Sequence, residues 1–142
     1  LQDIAFSASA DSSLESGYQV MIDGPPAIGG QNKGCRPMEM VLFGLGSCAA
    51  VDLVTILTKQ KFILKEFNIV IDAERTESVP KVFTAINLQF NLTFDTAATE
   101  LDTAAINKIE RATALSVEKY CSVYAMLHTT AKITHEVVCK GS

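Results

Sequence analysis

Four cysteines stand in this chain, Cys35, Cys48, Cys121 and Cys139. Two of them fall where they could work together. Cys48 lies in the middle of a long uncharged run, and Cys121 follows a second stretch with helical spacing. Free cysteine often serves as no more than a small buried hydrophobe. The chemical alternative is a thiolate that attacks the O–O bond of a peroxide, becomes a sulfenic acid and condenses with a neighbouring thiol to a disulfide. That reaction needs one activated thiolate and a second cysteine within reach, and an apolar pocket if the peroxide is organic. Apolar surroundings are abundant here. The four cysteines are too widely spaced for a zinc ribbon or a C-x-x-C pair, and too few for a disulfide scaffold. Their use points to a reducing, cytoplasmic setting. Two histidines, His128 and His135, are too few for a metal site, and neither metal nor cofactor is expected.

Other candidates flank these thiols. Arg36 and Glu39 open the uncharged run. They can be a solvated arginine and a glutamate matched to the positive end of a helix. As site residues, Arg36 would lower the Cys48 pKa while Glu39 orients the guanidinium. Straight helix geometry sets Glu39 and Cys48 on opposite faces, about 13.5 Å apart along the axis. Arg36 would then have to fold back or act across a subunit boundary. Asp52 shares the face of Cys48 one turn on and would raise the thiol's pKa, unless it pairs with a basic group elsewhere. His128, seven residues after Cys121, makes a Cys–His pair conceivable. Gly29-Gly30 and Gly34 match no phosphate-binding motif and read as loop.

Positioning these groups falls to a few elements. Pro37 to Leu57 reads as one long helix, with Pro37 at its first position and Glu39 in its first turn. Apolar residues cover every face of it, which implies a helix buried on all sides. Lys59, Lys61 and Lys65 close it with positive charge. Strands are expected at Ile4–Ala8 and Gly17–Asp23, joined through Asp11-Ser12-Ser13 as a hairpin. Phe67–Ala73 and Phe83–Phe94 alternate apolar and polar residues, most strongly at Ile86, Leu88, Phe90, Leu92 and Phe94. That period of two predicts an antiparallel sheet with one wet face. Helical spacing returns over Glu100–Tyr120, a further helical stretch follows from Cys121 to Leu127, and Lys132–Val138 closes the chain as a strand. The sum is one α+β domain over 1–142.

A net charge of −4 argues against nucleic acid and against an anionic membrane surface. The uncharged stretch from Met40 to Val51 is shorter than the roughly 20 residues a bilayer requires. Leu1-Gln2-Asp3-Ile4 lacks the features of a signal peptide.

The run Arg36-Pro37-Met38-Glu39-Met40-Val41-Leu42-Phe43-Gly44-Leu45-Gly46-Ser47-Cys48, continued by Val51-Asp52-Leu53, resembles the central helix of the OsmC/Ohr family. Leu115-Ser116-Val117-Glu118-Lys119-Tyr120-Cys121 resembles its second-cysteine helix, and Ile133-Thr134-His135 extends the likeness towards the C-terminus. The subgroup it is most similar to starts this helix with Pro-Met-Glu. The resemblance implies antiparallel sheets around a long buried central helix and an intertwined homodimer. It further implies reduction of organic hydroperoxides, with Cys48 peroxidatic, Cys121 resolving, and a lipoyl-type dithiol or small thiol as reductant. Two positions depart from the pattern. Met38 stands where the family has its glutamate, and residues 1–35 contain no arginine. Without an activator, Cys48 in apolar surroundings should have a raised pKa. That leaves two alternatives open, a non-catalytic dimeric binder of a small apolar ligand and a dithiol redox sensor. The roles of Cys35 and Cys139 stay unassigned.

Overall fold

The computed structural model describes residues 5–10 and 18–142. The chain forms two compact units, Leu1–Phe43 and Gly44–Ser142. In the first, β1 (Phe6–Ala10) and β2 (Tyr18–Ile22) pair antiparallel with Phe6 opposite Ile22, as the hairpin reading expected. Its turn at Asp11-Ser12-Ser13 lies outside the described residues. The loop that follows is held by Asp23, which is 1% exposed. Its carboxylate accepts the main-chain N–H groups of Gly24, Gln31 and Lys33 at 2.8–2.9 Å. Those bonds and the nearby Arg36 charge hold its pKa below the usual carboxylate range against the opposing effect of burial. Gly29 turns the loop at a φ of 95°, in the left-handed region that glycine enters without penalty.

Helix α1 (Pro37–Lys59) runs 23 residues. Glu39 accepts the main-chain N–H of Arg36 at 2.8 Å, half of a capping box that satisfies a donor the helix leaves open. At the far end Lys61 adopts a φ of 64°, with Lys61 N–H on the Thr58 carbonyl and Phe62 N–H on that of Leu57. That is the Schellman arrangement for ending a helix. The helix is long and apolar enough to cross a bilayer, yet one face is packed into the second unit's core through Leu45, Gly46, Ala49, Leu53 and Leu57. Burial on all sides does not hold within a single chain, because Val51 and Val54 on the other faces are 68% and 40% exposed.

Strands β3 (Leu64–Arg75), β4 (Phe83–Phe94) and β5 (Lys132–Gly141) form one sheet in that order. β3 and β4 pair antiparallel, as their alternation predicted. β5, however, lies parallel to β4, which corrects the expectation of a wholly antiparallel sheet. Alternation reports that one face of a strand is buried and the other wet, which favours antiparallel neighbours without fixing the direction of each one. The direction comes from the crossover, in which helices carry the chain from the end of β4 back to the start of β5. Ile86, Leu88, Phe90, Leu92 and Phe94 are buried with at most 1% exposed, and the Phe67 ring stacks near Phe90. On the opposite face Asn91 bonds Asn68 and Gln89, and Thr134 bonds Asn87.

The crossover holds α2 (Thr103–Ala114), a π-helical turn (Leu115–Tyr120) and α3 (Ser122–Leu127). Asp102 caps α2 by accepting the Ala105 N–H at 2.7 Å. Ser116 is buried in phase with Ile109 and Ala112 of α2, Leu115 is 42% exposed, and the π turn widens the chain between Ser116 and Cys121.

Candidate functional site

Cys48 rises from the middle of α1, partly exposed. On its face Gly44 lies one turn before it and Asp52 one turn after. A methyl group placed on Gly44 would meet nothing within 4 Å, so that side of the thiol is open. Cys121 stands at the corner between the π turn and α3. Its N–H still reaches the Ser116 carbonyl, the wide hydrogen bond of a π turn, while its φ and ψ of −69° and 108° break the helix. A residue so placed is the N-cap of the next helix, and the first N–H groups of a helix have no partner within it.

At α3 those orphan donors meet sulfur. Tyr124 N–H donates to Cys121 Sγ at 3.3 Å, so a thiol fills the role usually taken by a side-chain oxygen. The main-chain N–H groups of Val123 and Ser122 act on Cys48, as does the Cys121 thiol. Burial pushes the Cys48 pKa up, and Asp52 adds to this. The Val123 N–H, the Cys121 thiol and the Ser122 N–H outweigh both, so it falls below the ordinary thiol value. Cys121, 2% exposed, moves the other way. Burial first, then the neighbouring Cys48, lift it to about 11, although the Tyr124 N–H opposes them. One thiol is thus prepared to lose its proton and the other to keep it. The Cys121 thiol also lies 3.8 Å from the Leu45 carbonyl, on the turn of α1 just before Cys48.

The direction at Cys48 reverses the expectation that apolar surroundings without an arginine would raise its pKa. Main-chain N–H groups supply the polarity instead. Sequence reasoning missed them because every residue carries one, and only the break at Cys121 aims them.

Cys48 and Cys121 are brought together; the other candidates are occupied locally. The Arg36 guanidinium donates to the carbonyls of Asp23 and Gly24 and to the Asn32 side chain. Glu39 meets the main chain of Arg36 and not its guanidinium. Cys35 Sγ lies 3.1 Å from Met40 Sδ and 3.3 Å from the Met21 carbonyl. Cys139 is held up in pKa by burial and by Glu110. His128 stacks on Tyr124 with ring centres 5.1 Å apart, and His135 bonds Glu118 at 2.8 Å.

A family model described as OsmC-like protein matches residues 30–136, a span that includes both site cysteines. The chain belongs to the OsmC-like family. It is 41% identical over 120 residues to Protein YhfA of Escherichia coli (strain K12), covering 84% of this chain and 81% of that one. A crystal structure of a hypothetical protein from Aquifex aeolicus VF5 shares 28% identity at a TM-score of 0.66, with 97% of each chain covered. An organic hydroperoxide resistance protein OsmC from Legionella pneumophila covers 95% of each chain at a TM-score of 0.58. At 15% identity that last likeness is one of fold. The OsmC-like fold assignment accordingly rests on both the sequence match and the α+β architecture, with its two sheets and long central helix.

Proposed function

We propose that this OsmC-like protein is a cytoplasmic thiol peroxidase that reduces organic hydroperoxides through Cys48 and Cys121. Family membership supports a redox or peroxide-related role. The observation that carries the finer reading is the pairing of a thiol of lowered pKa with a protonated second thiol beside it. The Cys48 thiolate attacks the terminal oxygen of the hydroperoxide. The O–O bond breaks, its electron pair leaves with the alkoxide, and water protonates the alkoxide to an alcohol. Cys48 is left as a sulfenic acid, oxidised by two electrons. The Cys121 sulfur then attacks the Cys48 sulfur, and the hydroxyl leaves as water with the Cys121 proton. A dithiol of lipoyl type, or a small thiol, reduces the resulting disulfide and is itself oxidised. Arg36 and Glu39 enter this proposal as residues that order the entry to α1. The working form is a homodimer, a reading supported by the apolar faces that a single chain leaves uncovered.

The test is consumption of cumene hydroperoxide with a dithiol donor. Cys48→Ser should abolish turnover. Cys121→Ser should leave a sulfenic acid on Cys48 that a dimedone-type probe traps. A wild-type protein that consumes no organic hydroperoxide with any dithiol sinks the proposal.

A further inference from the structure

Asp52 lies one turn after Cys48 on the same face of α1, with Lys59 on that stripe two turns further on. Helical side chains lean back towards the N-terminus, over the residue one turn earlier. The carboxylate one turn after the thiol is on the side from which such a lean brings it nearer, and its charge is felt there. Neither of the ion pairs formed among the described residues involves it; these join Lys65 to Asp95 and His135 to Glu118. The donors that could compensate a second anion, the N–H groups opening α3, are directed at the two sulfurs. A molecule reaching Cys48 thus meets a partly buried carboxylate one turn away, and on the other side Gly44, where an added methyl group would touch nothing within 4 Å.

We infer that Asp52 is a specificity-determining residue that admits uncharged reactants to Cys48 and rejects those carrying negative charge near the reacting atom. On the peroxidase reading, on which its biological meaning rests, the preferred substrates are neutral hydroperoxides with the carbon group laid towards Gly44. Hydroperoxides with a carboxylate within a few bonds of the O–O group are poor ones. A carboxylate at the far end of a long chain lies beyond the reach of Asp52, because exposed charges are screened over roughly 8 Å at physiological salt.

The experiment compares two alkylating probes of one shape, iodoacetamide and iodoacetate, at Cys48 in the whole protein. Rates are followed by mass spectrometry at pH 7 and divided by those for 2-mercaptoethanol. The ratio of the two probes cancels any change in the fraction of thiolate. The normalised ratio should favour iodoacetamide by between about threefold and thirtyfold at low salt, the range for a unit charge some 8 Å away. It should shrink as salt is added, fall towards one in Asp52→Asn, and persist in Asp52→Glu. A ratio near one in the wild type, or one that Asp52→Asn leaves in place, overturns the inference. Cumene hydroperoxide and its ring-carboxylated analogue form a separate arm. Selective alkylation with no peroxide consumed would sink the peroxidase reading and leave the role of Asp52 standing.

Discussion

Two thiols that share a hydrogen bond titrate as a pair, since the first to ionise makes the second harder to deprotonate. Here the order is set by surroundings. Cys48 faces two main-chain donors, and Cys121 is sealed in the core. Iodoacetamide should therefore label Cys48 with a midpoint below that of an unperturbed thiol measured alongside it. Replacing Cys121 by Ala removes a donor to Cys48 and the cap of α3 together. The midpoint should rise, with Val123 and Ser122 still limiting the change, and loss of the cap should cost about 1 kcal/mol of stability. An unmoved midpoint would show that Cys121 does not tune Cys48. At this scale the sequence was legible in part. The two cysteines could be singled out by type and by the stretches they occupy. Arg36 was sought as the activator because charge is what a sequence displays, whereas the donors at Val123 and Ser122 belong to the main chain.

The glycines of α1 look alike in sequence and differ in the helix. A side chain at Gly46 would come within 2.8 Å of the Ile71 δ-methyl, so this glycine lets the helix lie close on β3. Gly44 has no such neighbour. Glycine costs a helix interior about 1 kcal/mol relative to alanine. Gly44→Ala should recover most of that, visible as a higher denaturant midpoint. Gly46→Ala must use part of the same gain to displace Ile71 and should fall clearly short of it. A destabilised Gly44→Ala would mean that something else packs against that turn in solution. Elements were more legible than sites. The alternation of β4 and the start of α1 at Pro37 are local and survive in the sequence, whereas the capping bond of Glu39 and the turn at Lys61 show only in the fold. The direction of β5 and the π turn at Leu115–Tyr120 are not local: the buried positions Ala105, Ile109, Ala112 and Ser116 keep a count of three and four, and nothing in that count announces the break at Cys121.

At the scale of the molecule, the described residues leave several large apolar side chains uncovered. Val51 and Val54 on α1 are exposed at 68% and 40%, and in the hairpin Phe6, Tyr18 and Met21 are exposed at 64%, 64% and 46%. Scattered exposed hydrophobes are ordinary, but a run of them along one helix marks a surface made for association. The proposed homodimer would cover the α1 face and explain why that helix is apolar beyond its core-facing residues. Val51→Glu tests it. The side chain projects away from the core, so a single chain should keep its fold and its circular dichroism spectrum. In a dimer the same carboxylate would be buried without a partner, a cost of several kcal/mol. The wild type should sediment as a dimer at micromolar concentration, and Val51→Glu as a folded monomer. A wild type that sediments as one chain at tens of micromolar would remove the dimer from the proposal, leaving α1 half uncovered and the Cys48 site complete within one protomer.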